Sequence, residues 1–490
     1  MSVEPRIGHR LAMWMLAAAM ATAISARAGD WTGLVPLAFA DPLLTRPPSF
    51  NLGDMSGDSN HDCDPTPDSL SQPLTLSDAV ALAWCHNPQI QAAQATVVLQ
   101  ATQVGEARAA YLPTLNVGMS RLNQKTTTPQ SQLTLRSEQT SNSQYATLTW
   151  RLLDFGGRGA NRRAAEAMLD AALASRNAQL QKTLTHVVGA YFDVQTAKAN
   201  RKAKEETATL MRQTLAVAIR REARGAGAQS DTLQARTALA KAELESGRAL
   251  GTHDRSMAAL VLAVGLPVKA AGLQVLELAQ DHADAQDTVP QDLASWLSLA
   301  QDQHPALLAA RAQLAATQEK LTVSRSEGLP TLDFTQSHYV NGRPNQGLSS
   351  SRTTESVVGL TVNFPLFEGF ARHYKVRGAE AQIVIKEAEL RDTENQVLGE
   401  VVKAHADTVA SLRNITASGR LIDAARAALD NVQRKYDLGI VDILEMLNVQ
   451  VVFADAQQER VRALAEWRSA RLRLLTNAGM ADLSDLGEKS

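Results

Sequence analysis

Apolar positions along the chain follow two alternating periods. Leu173, Leu180, Leu184, Val187, Tyr191 and Val194 recur at spacings of 7, 4, 3, 4 and 3. Such spacing marks one face of a long helix packed as in a coiled coil. Elsewhere the period is two. Leu115, Val117 and Met119 alternate with Asn116, Gly118 and Ser120, and Leu148, Trp150 and Leu152 with Thr147, Thr149 and Arg151. Val358, Leu360, Val362, Phe364 and Leu366 share one face against Gly359, Thr361, Asn363 and Pro365. Alternation of this kind predicts strands. The Ser-, Thr- and Gln-rich stretch Asn123–Gln144 has neither period and is expected to be a polar loop.

The pattern repeats. Asn87-Pro88 precedes Leu112-Pro-Thr-Leu115, and His304-Pro305 precedes Leu329-Pro-Thr-Leu332; 305 − 88 and 330 − 113 are both 217. Trp150-Arg-Leu-Leu-Asp154 with Arg158 is matched by Phe364-Pro-Leu-Phe-Glu368 with Arg372, and Gly227 with Asp231 by Gly439 with Asp442. Shared order over about two hundred residues indicates duplication. Each unit reads helix, strand, loop, strand, long helix, turn, helix. In the first, Ser77 is expected to cap the opening helix, which kinks at Asn87-Pro88. A long helix from Arg158 to Arg224 ends at Gly225 and Gly227, and its partner returns from Ser230. In the second, the long helix spans Arg372–Asp437, Gly439 turns it, and a final helix runs from Asp442 to about Asn477. Each long helix would extend about 100 Å.

Composition supports long helices. No proline lies between Pro129 and Pro267 or after Pro365. Aromatic residues make up only 4%, thin for a deep globular core. The formal charge of -2 excludes a strongly basic nucleic-acid binder. At the N-terminus, Arg6, His9 and Arg10 precede an apolar run and the small-residue patterns Ala26-Arg-Ala28 and Ala38-Phe-Ala40, the order of a secretory signal. Cleavage is expected after Ala28, with Ala40 second. The expected organisation is a signal over 1–28, a Pro/Asp-rich linker over 29–73, a first repeat over 74–265, a connector over 266–292, a second repeat over 293–477 and a tail over 478–490. In an oxidising compartment Cys63 and Cys85 can pair, adding about 3 kcal/mol through loop closure; two free thiols are the alternative.

Enzyme motifs are missing. There is no P-loop, His-Glu-x-x-His, Gly-x-Ser-x-Gly or Cys-x-x-Cys. No cofactor is implied. The calcium-loop echo at Asp58–Asp64 lacks the central glycine and the glutamate, and it reads, like Asp281-His-Ala-Asp284, as linker. His186 reads as a packing or tunnel residue. Four strands with one apolar face suit a barrel wall in lipid, yet four cannot close a barrel and an open edge in lipid is forbidden. Two copies would supply 8 strands and three would supply 12. A soluble exported coiled-coil protein with two hairpins is the competing class, and an exported enzyme a third.

Several stretches resemble the TolC-like outer-membrane factors: Leu76-Ser-Asp-Ala-Val-Ala-Leu-Ala with Asn87-Pro88, Tyr111-Leu-Pro-Thr-Leu, Leu152-Leu-Asp-Phe-Gly-Gly-Arg and Tyr436-Asp-Leu-Gly-Ile-Val-Asp-Ile-Leu-Glu445. The likeness covers about Leu74 to Asn477. It implies a mainly α fold with a small antiparallel β part, and a homotrimer closing a 12-stranded barrel in Gram-negative outer-membrane lipid above a 12-helix periplasmic tunnel. Implied partners are a periplasmic adaptor, docked at the tip turns Gly225, Gly227 and Gly439, and an inner-membrane ABC or proton-driven transporter. The implied function is an exit duct, for type I secretion of a protein such as a toxin or for small-molecule efflux; the Cys63/Cys85 arrangement resembles members serving toxin export. In the family, tyrosine, arginine and aspartate close the entrance. Tyr436 stands where the tyrosine would, with Asp231, Asp442 and Glu445 as further candidates. The arginine expected after Gly439 is absent, leaving Arg434 or Lys435 as substitutes. Asp442 and Glu445 could form acidic rings in a trimer, or Asp442 could simply cap its helix.

Overall fold

The computed structural model describes residue 43 and residues 74–130, 133–266, 292–341, 343, 353–438 and 440–479. The chain divides into residues 1–46 and 47–490, and the fold below belongs to the second unit. The signal, the linker with Cys63 and Asp58–Asp64, the connector core with Asp281–Asp284, Gly439, and the tail beyond Gly479 lie outside the described residues.

The elements are α1 (Leu76–His86), α2 (Pro88–Ala109), β1 (Thr114–Gln130), β2 (Leu133–Leu153), α3 (Gly157–Ala223), α4 (Gln229–Val264), α5 (Leu293–Gln303), α6 (Pro305–Ser326), β3 (Thr331–Val340), β4 (Thr354–Asn363), α7 (Ala371–Asp437) and α8 (Ile443–Asn477). The duplication is visible in lengths. Helices of 11, 22, 67 and 36 residues in the first repeat face helices of 11, 22, 67 and 35 in the second.

Each repeat opens with a broken helix. At Asn87 the backbone is extended (ψ 120°), and Pro88 starts α2, where its missing N–H costs nothing. Asn87 Oδ1 accepts from Gln89 N–H at 2.9 Å, and its Nδ2 donates to Ala263 O at 3.3 Å. His304 repeats this: its Nδ1 accepts from Ala306 N–H at 3.2 Å, ahead of Pro305. The cap of α1 is Thr75, not the expected Ser77. Thr75 and Asp78 form a reciprocal capping box, Asp78 N–H to Thr75 Oγ1 at 3.1 Å and Thr75 N–H to Asp78 Oδ2 at 3.2 Å. The returning helices close on these breaks. Gly265, with φ 82°, lies so near that an added Cβ would stand 2.9 Å from Asn87 Cα, and Gly479, with φ 95°, packs in the same way on Gln303 and His304. Only glycine combines left-handed backbone with that approach.

The main core lies beside this break. The α3 seam Leu180, Leu184, Val187, Tyr191 and Val194 packs with Val80, Ala83 and Trp84 of α1 and Leu260, Ala263 and Val264 of α4. His186, one residue before Val187, is exposed. A matching cluster joins Trp296, Leu307, Val401 and Leu474 in the second repeat. Cys85 on α1 is disulfide-bonded.

The four strands form one antiparallel sheet in the order β1-β2-β3-β4, with β1 and β4 at its edges. One correction concerns Asn123–Gln144. Instead of a loop, most of it is paired strand, from Asn123↔Thr140 out to Gln130↔Leu133, beyond the last β2–β3 pair Gln144↔Val340. Leu133 and Leu135 are the only large apolar residues of the segment, so apolar alternation cannot reveal it, although Thr suits strand backbone well.

Burial holds the His304 imidazole below its ordinary pKa, and its neutral Nδ1 serves as the cap. A folded-state pKa below the unfolded value means that the stability contribution is present above about pH 6.5 and lost as the pH falls through the lower folded value. Helical melting by circular dichroism is expected to shift to lower temperature between pH 7.5 and 5. His304→Asn, which copies Asn87, is expected to flatten that dependence. Asn87→Ala is expected to cost about 1–2 kcal/mol at any pH in this range.

Candidate functional site

Two regions of this fold carry surface chemistry: the sheet and the helix tips. Alternation in the sheet sorts the side chains into two faces. Leu115, Val117, Met119, Val358, Leu360 and Val362 share one face and are exposed, Met119 at 76%. The opposite face is small and polar, with Thr114, Asn116, Thr147, Thr149, Thr335 and Ser337. Where the strands meet the helices, Trp150, Phe155, Phe364, Phe367, Phe370 and Tyr374 are exposed, Phe367 at 75%. Aromatic side chains in such a band favour a membrane–water interface.

The junction itself is held by polar contacts. Phe155 and Gly156 adopt φ 50° and 94°, and Gly369 and Phe370 adopt 61° and 66°. This double left-handed step turns strand into helix at the same place in both repeats. Asp154 Oδ2 accepts from Arg158 N–H at 2.6 Å, and the Arg158 guanidinium donates to Arg151 O at 2.7 Å while lying 4.9 Å from the Tyr111 ring. Arg372, its counterpart, donates to Gly328 O at 3.1 Å. Arg158 and Arg372, matched in sequence, thus play the same part, each tying its long helix to the strand entrance.

At the far end, α3 turns into α4 and α7 into α8. Gly225 supplies the left-handed residue, with φ 69°. Gly227 does not; it is a close approach, where an added Cβ would lie 3.1 Å from Arg221 Cβ. The tips pack through Met211 and Ala218 of α3, Ala235 of α4, Val432 and Tyr436 of α7, and Ile443, Met446 and Leu447 of α8. Tyr436 is therefore a buried member of a core that joins both helix pairs. Asp442 caps α8, its Oδ1 accepting from Glu445 N–H at 2.8 Å. The exposed Glu445 lies in the first turn of α8, directly after the Asp442 cap, and the half-buried Asp231 lies in the first turn of α4.

Sequence reasoning missed the cation at this site. Within this chain Arg221, from the last turn of α3, donates to Tyr436 O and places its guanidinium 4.4 Å from the Tyr436 ring centre. The available signal was the Arg220-Arg221 pair ending α3, where positive charge complements the helix C-terminus. Arg221→Ala removes both contacts between the helix pairs. It is expected to weaken local protection by about 2 kcal/mol, seen as roughly thirty-fold faster amide exchange over Val432–Leu447, with the α1–α4 core unchanged.

Residues 79–266 and 296–480 match the model of the family described as outer membrane efflux protein. Protein CyaE of Bordetella pertussis is 32% identical over 436 residues, covering 89% of this chain and 90% of that protein. Alkaline protease secretion protein AprF of Pseudomonas aeruginosa is 25% identical, covering 84% and 86%. The solved structure of the CmeC outer membrane channel of Campylobacter jejuni superposes with a TM-score of 0.72 at 16% identity, over 83% of this chain and 86% of that one. With both repeats covered, the chain belongs to the outer membrane efflux protein family.

Proposed function

We propose that three copies of this chain form the outer-membrane exit duct of a tripartite export system, most directly one for type I secretion of a protein. The observation that carries this reading is a four-stranded sheet with an exposed apolar face and, among the described residues, no strand beyond β1 or β4. In hydrocarbon, β1 must pair with the β4 of another copy. Three copies give twelve strands, and the four long helices of each give a tunnel of twelve. The tips then form the end remote from the membrane, where a periplasmic adaptor docks around Gly225, Gly227 and Gly439 and an ABC or proton-driven inner-membrane transporter delivers the substrate. Substrate passes without chemistry. The secretion reading draws support from AprF, which is named for export of a protease. Small-molecule efflux by the same duct is the second reading, favoured by the family description.

At the entrance, Tyr436 and Arg221 would clasp the helix pairs of one copy, while Asp442 and Glu445 would stand one helical turn apart as three-fold acidic sets. We pair Cys85 with Cys63, the one other cysteine of the chain.

Heat-modifiable or crosslinked trimers in the outer-membrane fraction are the expected result; a monomer in the soluble periplasm would overturn the duct. A deletion strain is expected to retain an exoprotein in the cell; drug hypersensitivity with normal exoprotein release would instead select efflux. In planar bilayers, Asp442→Asn keeps a good helix cap while removing the charge. Combined with Glu445→Gln, it is expected to reduce the cation-to-anion permeability ratio to roughly half or less; an unchanged ratio would remove the acidic-ring role.

A further inference from the structure

One row on the polar face of the sheet is aromatic. Gly118, Tyr145, Tyr339 and Glu355 are in direct register across β1, β2, β3 and β4. They lie one pair from Val340↔Thr354, the end of β3–β4 that is remote from the helices. Neighbouring rows on this face carry Thr114, Thr149, Thr335 and Gly359, then Asn116, Thr147, Ser337 and Val357. None of those is aromatic.

The row is built as one band. The Tyr145 ring lies directly over Gly118, where an added Cβ would stand 2.4 Å from its Cζ. Any larger residue at 118 would push the ring away. Tyr145 and Tyr339 have ring centres 6.4 Å apart at an interplanar angle of 35°, within the range of attractive aromatic pairs. The Arg343 guanidinium follows, 5.5 Å from the Tyr339 ring centre. It is held by Glu355, with Nε donating to Oε2 at 3.0 Å and Nη2 to Oε1. Both tyrosines are only partly buried, so ring surface remains accessible. The Glu355 carboxylate balances the Arg343 charge, so the band is no anion site. It offers flat π surface and a stacked guanidinium, which recognise aromatic and planar side chains with little demand on sequence.

We propose that Tyr145, Tyr339 and Arg343 of three copies form a collar inside the outer mouth of the duct, which engages aromatic side chains of an extended polypeptide as it leaves. This rests on the trimeric duct proposed above. The placement matters. At the outer mouth a chain has left the transporter that drives it, and brief stacking there would oppose backsliding.

The test is current blockade in planar bilayers holding trimers of the full mature chain. An unstructured 20-residue peptide with regularly spaced tyrosines is added to the compartment facing the strand turns, beside a Gly/Ser peptide of equal length. The tyrosine peptide is expected to block longer. Tyr145→Ala with Tyr339→Ala is expected to shorten its blockades by about five-fold or more, leaving the Gly/Ser events unchanged. Tyr145→Phe with Tyr339→Phe keeps the ring faces and is expected to behave as wild type. If the alanine pair fails to assemble, Tyr339→Leu alone, which keeps bulk without a π face, is expected to shorten the blockades in the same direction. Equal blockade times for both peptides, or for wild type and the ring-less variants, would overturn the collar while leaving the duct standing. A phenylalanine pair as impaired as the alanine pair would overturn it too, because hydroxyl bonding rather than ring surface would then be at work. Absence of any trimer channel would overturn the duct and the collar together.

Discussion

A strand edge in hydrocarbon has no water to satisfy its N–H and C=O groups, and the rest of this structure follows from that constraint. Among the described residues, the sheet of a single copy ends at β1 on one side and β4 on the other. Its apolar face is ready for lipid, but its hydrogen bonding is not. In the proposed duct, closure comes from further copies. Because each repeat supplies two strands and then one 67-residue helix with its returning partner, the operation that closes the strands carries the helices round with it. Barrel and tunnel are one assembly problem rather than two.

The duplication shows which parts tolerate change. Helix lengths agree to within one residue between repeats, and the Asn87 and His304 breaks receive Gly265 and Gly479 in the same way. Packing on several sides fixes these positions, since a shifted helix break would misplace both the cap and the glycine seated on it. The strands diverge instead, 17 and 21 residues against 10 and 10. Beyond the last β2–β3 pair, the β1–β2 ribbon has no third strand on its β2 side among the described residues. Length there is free of packing constraints, and the polar Ser, Thr and Gln residues need no buried face.

What was legible in the sequence tracks what is periodic. The α3 seam from Leu180 to Val194 and the apolar strand faces at Leu115–Met119 and Val358–Val362 are local patterns, and the structure keeps them. The Asn123–Gln144 ribbon was invisible because Leu133 and Leu135 are its only large apolar residues. Thr75 rather than Ser77 caps α1 because capping depends on where the first extended residue falls, which neighbouring hydroxyl residues do not reveal. The Arg221–Tyr436 contact joins residues 215 positions apart. No local spacing encodes it. Gly225 and Gly227 were both legible as a turn, but not which of them is left-handed and which makes room.

The two ends of the long helices are held by different packing. Near the helix breaks, Trp84, Tyr191 and Phe192 pack with branched aliphatic side chains in a core shared by α1, α3 and α4. Large rigid side chains packed in this way resist displacement. At the tips the buried set is smaller, Met211, Ala218, Ala235, Val432, Ile443, Met446 and Leu447 around the single ring of Tyr436. Alanine buries little surface, and methionine adapts to altered spacing at little cost. The Arg221 contact adds only a partly exposed cation–π and hydrogen-bond tie, weaker than a buried one. Local opening begins where buried apolar contact is least. A rearrangement of the helix pairs would therefore start at the tips and stop at the breaks, leaving the sheet and its lipid contacts undisturbed.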